Sequence, residues 1–204
     1  MDEIVQQAMR KWPDVPHCFG WLRLDARGAW RMRDERAQQL ELAGEPIRHP
    51  ALLAFIARNY GHDEQGRWYF QNGPQRVYVD IEWMPRILRT QPAANGATTL
   101  QLHTGEAFGA AEAAWMDEQG RLYLRAGDHL AGVDDRDLAQ LLPALQAAPV
   151  AGTGSEEEAL LRWLEGDDSI SVQFCPGPQA LPLQRVGAAD IAQRFGFVAR
   201  PRQA

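Results

Sequence analysis

The stretch Asp63-Glu64-Gln65-Gly66-Arg67 decides how this chain is read, because it returns unchanged as Asp117-Glu118-Gln119-Gly120-Arg121, 54 residues further on. The same offset sets Tyr69 on Tyr123, Gly73 on Gly127, Val79 on Val133, Asp80 on Asp134 and Leu88 on Leu142. Aspartate closes a tight turn with its own carboxylate, and glycine takes the positive φ that other residues avoid. Each copy therefore predicts a hairpin corner, with 68–70 and 121–124 as the outgoing strands. A looser relative, Asp25-Ala26-Arg27-Gly28, joins the strand around Gly20-Trp21-Leu22-Arg23-Leu24 to the one at Ala29-Trp30-Arg31-Met32. Self-similarity at a fixed period is the sign of one supersecondary unit used more than once. Charged turns of this kind also arise independently, so the downstream agreement carries the duplication, ending in Met84/Leu138 and Leu88/Leu142.

Working outward, Ile4, Val5, Ala8 and Trp12 recur at helical spacing between Asp2 as cap and Pro13 as stop. Residues 33–45 are polar and read as a loop or ragged helix. Pro50 opens a helix whose apolar stripe is Leu52, Leu53, Phe55 and Ile56, with Gly61 as its end. Val77-Tyr78-Val79-Asp80-Ile81 alternates as a strand, and 83–88 is expected to form a helical turn or two. Turn formers at 91–96 suggest a linker. Beyond it come a strand at 98–103, a helix near 134–145, a flexible break at Gly152-Thr153-Gly154, and a helix from Glu156 with Ser155 and Glu158 as a capping box. A closing hairpin over 169–186 turns at Cys175-Pro176-Gly177-Pro178, and 190–195 forms a last short helix. The reading is an α+β protein of two small domains, 1–92 and 97–204, each of antiparallel strands packed on helices.

Composition narrows the function classes. The chain has 204 residues, 45% hydrophobic and 24% charged, which places it among globular proteins. No apolar run reaches the roughly 18 residues that span a bilayer, and the acidic start, Asp2 and Glu3, is unlike a signal peptide. Cys18 and Cys175 lack CxxC spacing, which favours reduced thiols in a cytoplasmic protein. The net charge of −6 divides into +1 over residues 1–92 and −7 over 93–204. An acidic second half is a poor platform for duplex DNA. Lys11 is the single lysine among 21 basic residues, and the arginines suit planar anions or simply reflect genome composition.

Catalytic and metal motifs are missing. The three serines, Ser155, Ser169 and Ser171, sit in no nucleophile elbow. None of the histidines, His17, His49, His62, His103 and His129, pairs at i, i+4 as helix-borne metal ligands do. His62 is matched by Met116 in the second copy. The helix after Gly154 opens with Glu156, Glu157 and Glu158, which repel phosphate. No cofactor, metal or catalytic residue is assigned. Paired carboxylates such as Asp80 and Glu82, which share a strand face, or His62 would serve a hydrolase, the least favoured reading, though alternating charges on an exposed strand face explain the pair as well.

One stretch stands apart: Trp68-Tyr69-Phe70-Gln71-Asn72-Gly73-Pro74-Gln75-Arg76-Val77-Tyr78-Val79-Asp80. Rings stack on planar ligands, while amides and guanidinium bond their edges or phosphates. The plainer reading is a hairpin with an aromatic core face. The residues from Asn72 to Arg76 also differ most from their counterparts, 126–130, and differences between copies mark function better than identities do.

The order Gly28-Ala29-Trp30, Glu45-Pro46-Ile47-Arg48, Leu52-Leu53-x-Phe55, Asp63-Glu64-x-Gly66 with Tyr69-Phe70, then Pro74 and 77–85, resembles a family of uncharacterised proteobacterial proteins of this length. Residues 100–106 and 122–142 continue the likeness, which spans about 20–145. It implies two related α/β units, the second somewhat like a pleckstrin-homology fold. A ligand site at the junction of the halves, nucleotide-like in its occupant, and a signalling or stress setting are also implied. The polar insert after Met32 and the tail beyond 150 depart from the pattern.

The resulting expectation is a non-enzymatic module binding a small anionic or nucleotide-like ligand between its halves. Arg48 and Arg76 hold the anion, Trp68 or Tyr78 stacks, and Asn72 and Asp80 orient polar groups. The alternative is a protein-interaction adaptor or homodimer without a small ligand. Neither reading calls for a membrane.

Overall fold

A computed structural model describes residues 1–92, 98–148, 154–177 and 179–203. Residues 93–96 of the expected linker, Gly152 and Thr153 of the expected break, and Pro178 of the last turn lie outside them. The chain is α+β and divides into two compact units. The first gathers Met1–Pro85, His103–Gly105 and Ala192–Ala204, and the second Arg86–Leu102 and Glu106–Ile191.

In the first unit the elements run α1 (Glu3–Lys11), β1 (Cys18–Leu24), β2 (Trp30–Met32), α2 (Glu35–Gln39), β3 (Glu45–Pro46), α3 (Pro50–Arg58), β4 (Tyr60–His62), β5 (Trp68–Asn72) and β6 (Gln75–Ile81). They build one sheet in the order β3-β2-β1-β6-β5-β4. Every pair in it is antiparallel except β1 with β6. Asp2 stands at the start of α1 without a side-chain cap. Its carboxylate instead accepts from Arg58 at 3.0 Å and from the Asn59 amide at 3.3 Å, tying α1 to the end of α3. α3 starts at Pro50 as its sequence predicts, but stops at Arg58 because Gly61 is taken up by β4 opposite Tyr69.

Strand alternation sorts the side chains of this sheet. Phe70, Val77 and Leu22 face α3, where Phe55 meets Phe70 edge-on at 5.3 Å. Tyr69, Gln71, Arg76, Tyr78 and Asp80 face the other way, since Tyr69 pairs with Tyr78 and Gln71 with Arg76 in the β5–β6 ladder. The C-terminal residues run beside the first repeat corner. Val198 donates its amide to the Gly66 carbonyl at 2.9 Å, and Ala199 accepts from the Ile81 amide at 2.7 Å.

The second unit contains β7 (Ile87–Pro92), β8 (Thr98–Leu102), β9 (Ala113–Met116), β10 (Leu122–Ala126), β11 (His129–Val133), α4 (Leu138–Leu141), β12 (Leu145–Ala147), α5 (Glu156–Leu164), β13 (Val172–Phe174) and β14 (Leu181–Arg185). α6 (Ile191–Arg194) spans the division between the units. The strand order is β12-β13-β14-β9-β10-β11-β7-β8. Met116, Leu122, Leu124, Phe174 and Trp163 of α5 sit in one apolar core. Ser155 caps α5, accepting the Glu158 amide at 3.1 Å, as the capping box requires. The helix expected near 134–145 is short, a turn of α4 followed by a 3-10 turn at Leu142–Ala144.

The helix expected over 83–88 is a bend leading into β7. Leu88 and Ile87 are fully buried there, and the Arg86 and Leu88 carbonyls accept from Gly132 and Asp134 of the β11 segment at 3.0 and 2.9 Å. A ladder to residues some 45 positions away outweighs the local helical spacing.

The two sheets share a run of pairings. In the first, the antiparallel series β4-β5-β6 joins the hairpin β1-β2 through the parallel β6–β1 pair, with Leu22 beside Val79. In the second, β9-β10-β11 joins β7-β8 through the parallel β11–β7 pair, with Leu88 beside Val133. Val79 and Val133 are the residues matched by the 54-residue offset. Leu88 therefore stands where Leu22 stands, whereas the offset alone sets it on Leu142.

Candidate functional site

Three aspartates build the corners by one plan. Asp25, Asp63 and Asp117 each accept two backbone amides on Oδ1: Arg27 and Ala29, Gln65 and Arg67, Gln119 and Arg121, all between 2.8 and 3.0 Å. The glycine three residues on takes a φ of 75°, 72° or 76°. The free Oδ2 then recruits a long side chain: Arg31 at 2.8 Å, Arg67 at 2.8 Å with the Tyr78 hydroxyl at 3.1 Å, and the Tyr123 hydroxyl at 2.7 Å. Burial works against ionisation of Asp63, yet the Arg67 amide and guanidinium and the Tyr78 hydroxyl outweigh it and hold the carboxyl below its ordinary range.

The first corner thus delivers Arg67 to the face of the sheet that carries Arg76 and Tyr78. The Arg67 guanidinium lies 4.9 Å from the centre of the Tyr78 ring, and Phe19 stacks on that ring at 4.7 Å and 9°. Arg76 lies 4.5 Å from the centre of the Tyr69 ring. His17, exposed at the entry to β1, meets Tyr78 edge-on at 5.7 Å. Two guanidiniums and an imidazole are gathered over a floor of three rings, with Asp63 as the nearby carboxylate bound by Arg67. Among the described residues no carboxylate forms an ion pair with Arg76.

The six residues singled out by sequence fall in three places. Arg76, Tyr78 and Asp80 share the polar face of β6. Trp68 and Asn72 alternate to the opposite face, and Trp68 is buried, packed on Tyr60 and on His62 at 4.8 and 4.9 Å. Arg48 is exposed between β3 and α3. Tyr78 is 1% exposed, so its ring is a floor with no open face for a base. Asp80 is consumed by structure: it accepts Arg33 at 2.7 Å and Arg202 at 2.9 Å, with Arg33 itself 2% exposed. Glu82 is likewise held by Arg23 at 2.7 Å. His17 and Arg67 were named in the sequence but not chosen as site residues. Arg67 directly follows the first turn glycine and its side chain reaches back to Asp63, whereas Arg31 and Tyr123 take that place in the Asp25 and Asp117 corners. The sequence carried no signal for His17, because its neighbours come from β6 and the turn before β5.

Burial, followed by Arg76 and then Arg67, pushes the His17 imidazole below its ordinary pKa of 6.5. The folded state favours neutral His17, so its contribution to stability is present above pH 6.5 and is lost as pH falls through the depressed value. An NMR titration of His17 should give a pKa below 6.5 that rises in Arg76→Ala. An unchanged value in the variant would separate the two side chains.

Among the described residues no group of three His, Cys, Asp or Glu side chains is placed to hold a metal ion. No helix among them is long and apolar enough to cross a membrane. Both cysteines are free.

Fold and site together define an α+β chain with an arginine-bearing, ring-floored sheet face. It belongs to the family DUF2944, whose description is "Protein of unknown function (DUF2946)" and which it matches over residues 1–202. Among solved structures it is similar to a DUF1285 family protein from Silicibacter pomeroyi DSS-3, at 16% identity and a TM-score of 0.49, over 91% of this chain and 97% of that one. It is also similar to a DUF1285 family protein from Shewanella baltica OS155, at 13% identity and a TM-score of 0.36, over 60% of this chain and 91% of that one. No curated protein matches.

Proposed function

We propose that this chain is a non-enzymatic module that binds a small anion on the polar face of the first sheet, with Arg76 and Arg67 as its cationic partners and His17 at the rim. The observation that supports this most is Arg76, a half-buried guanidinium that lies on the Tyr69 ring with no carboxylate among the described residues to neutralise it. A planar cation held in place by a ring presents its donor fork to a carboxylate or phosphate with little entropy left to lose. The nucleotide-like part of the expectation has less support, because the Tyr78 ring is covered and Trp68 is buried. The shared run of strand pairings supports a duplicated scaffold, one copy of which carries this cation cluster while the other has Leu130 where Arg76 stands.

Thermal denaturation with phosphate, sulfate and succinate tests the reading at low ionic strength, where surface charge is least screened. An anion present at about ten times its Kd should stabilise the protein by about 1.4 kcal/mol and raise Tm by roughly 3–6 °C. Arg76→Ala should remove most of that rise. The reading fails if none of these anions shifts Tm, or if the variant responds like the parent.

A further inference from the structure

β1 carries an irregularity that its hairpin with β2 does not need. Its pairing with β6 shifts between Cys18 and Leu22: Cys18 lies beside Val77, while Leu22 lies beside Val79. Four steps along β1 are thus matched to two along β6. Gly20 sits within the shift at a φ of 79°, and the Gln38 side chain occupies the place of its missing Cβ. In a regular strand residues 18 and 21 point to opposite faces. An inserted bulge re-aims side chains, and such bulges gather next to binding sites.

Here Cys18 and Trp21 line the same cleft, of about 270 Å³, on the α3 side of the sheet with Leu52, Phe70 and Asn72. Trp21 and Met32, both on its wall, remain 41% and 47% exposed. Among the described residues no charged side chain lines it. Asn72, which is exposed, makes no side-chain hydrogen bond to the described residues. Apolar walls with one unengaged amide are the composition of small-molecule sites, in which the few polar groups fix orientation.

We propose that this cleft binds a small uncharged aromatic or aliphatic molecule with one hydrogen-bonding group, which Asn72 meets. The lack of a lining charge among the described residues selects the class, since an ion moved there from water would find no counter-charge among them. The volume sets the size: at about 30 Å³ per water-sized group it accommodates roughly nine non-hydrogen atoms. The site is separate from the anion cluster, because Phe70 and Val77 point away from Tyr69 and Tyr78 across the same two strands.

Indole has the right size and one donor, and its Kd should be on the order of 0.1–1 mM. Cys18 lines the cleft and Cys175 does not, so the two thiols act as reporter and control. Alkylation by iodoacetamide, resolved by mass spectrometry, should slow about tenfold at Cys18 when indole stands near ten times its Kd. Cys175 should be unaffected. Indole-3-acetate, with the same rings and a carboxylate, should protect at least about fivefold less well. Asn72→Asp, a change at an exposed position, should weaken protection by indole to a similar degree. Methyl NMR shifts of Leu52 and Ile56 read the same binding if Cys18 is slow to react. Equal protection by the charged and uncharged probes would overturn the proposal, as would indole that moves neither Cys18 nor those methyls. Full protection in Asn72→Asp would remove Asn72 from it. None of these outcomes depends on whether phosphate or succinate binds the opposite face.

Discussion

Asp80→Ala should lower the stability of the protein by about 3–5 kcal/mol. The carboxylate lies at the end of β6 and is 5% exposed, while its partner Arg33 is 2% exposed. Removing Asp80 leaves that guanidinium buried with only the more distant, exposed Glu41 as counter-charge, and Arg33 Nε has no acceptor among the described residues. The Ala37 carbonyl at 3.2 Å and Glu41 at 3.7 Å do not replace a carboxylate at 2.7 Å. Arg202→Ala should behave differently, although it also deletes an ion pair to Asp80. Arg202 is 53% exposed in its side chain, and water takes over its solvation, so a loss of about 1 kcal/mol or less is expected. Urea unfolding of the two variants measures the difference directly. Similar losses would mean that Arg33 is not enclosed as described. A paired Asp80→Leu, Arg33→Met variant should recover most of the stability, because an apolar pair of similar volume needs no desolvation of charge.

The second large effect concerns the repeated turn. Gly66→Ala and Gly120→Ala are the same substitution in the same pentapeptide, at φ values of 72° and 76°. Backbone strain alone predicts about 1–2 kcal/mol for each. The surroundings differ. A Cβ on Gly120 meets nothing within 4 Å, whereas a Cβ on Gly66 would stand 2.1 Å from the Gly196 carbonyl oxygen. That oxygen is backbone, so the C-terminal segment must move, and the bond from Val198 to Gly66 goes with it. Overpacking of this kind adds about 1–3 kcal/mol. Gly66→Ala should therefore lower Tm by roughly 4–20 °C, against roughly 2–8 °C for Gly120→Ala. It should also speed hydrogen exchange at the Val198 and Ile81 amides. Equal shifts in the two variants would show that residues 196–199 are not seated on the first turn.

Those two glycines also show where sequence reading reaches its limit. The turn itself was legible because everything it needs is local: an aspartate whose carboxylate closes the turn and a glycine for positive φ. The same holds for the Asp25 corner and for the Ser155 cap. The neighbour that makes Gly66 intolerant of a methyl group arrives from 130 residues further along the chain, and no local pattern announces it. The candidate site divides along the same line. Arg76 and Tyr78 were picked out by residue type and strand spacing. The alternation of β5 then carried Trp68 and Asn72 to the opposite face. The side chains that complete the cation cluster, His17 and Arg67, came from the segment entering β1 and from the turn before β5.

By itself the sequence determined the corners, the capped helices and most strands, and with them the α+β class, because these depend on contacts within about five residues. Tertiary structure decided which strands lie side by side. β1 pairs with β6 and β9 with β14, both in parallel and each across 50 residues or more, and neither partner is written in the other's pattern. It also turned 83–88 from a helix into a bend that enters β7 at Ile87, by offering Leu88 a ladder beside Val133. Finally, it assigned the charges. Asp80 became a buried anchor for Arg33 and Arg202, while Arg76, four residues earlier on the same face, was left with a ring beneath it and no carboxylate to neutralise it. Desolvation makes the first pairing obligatory, since a buried guanidinium without a partner is costly. Partial exposure lets the second arginine wait for an anion.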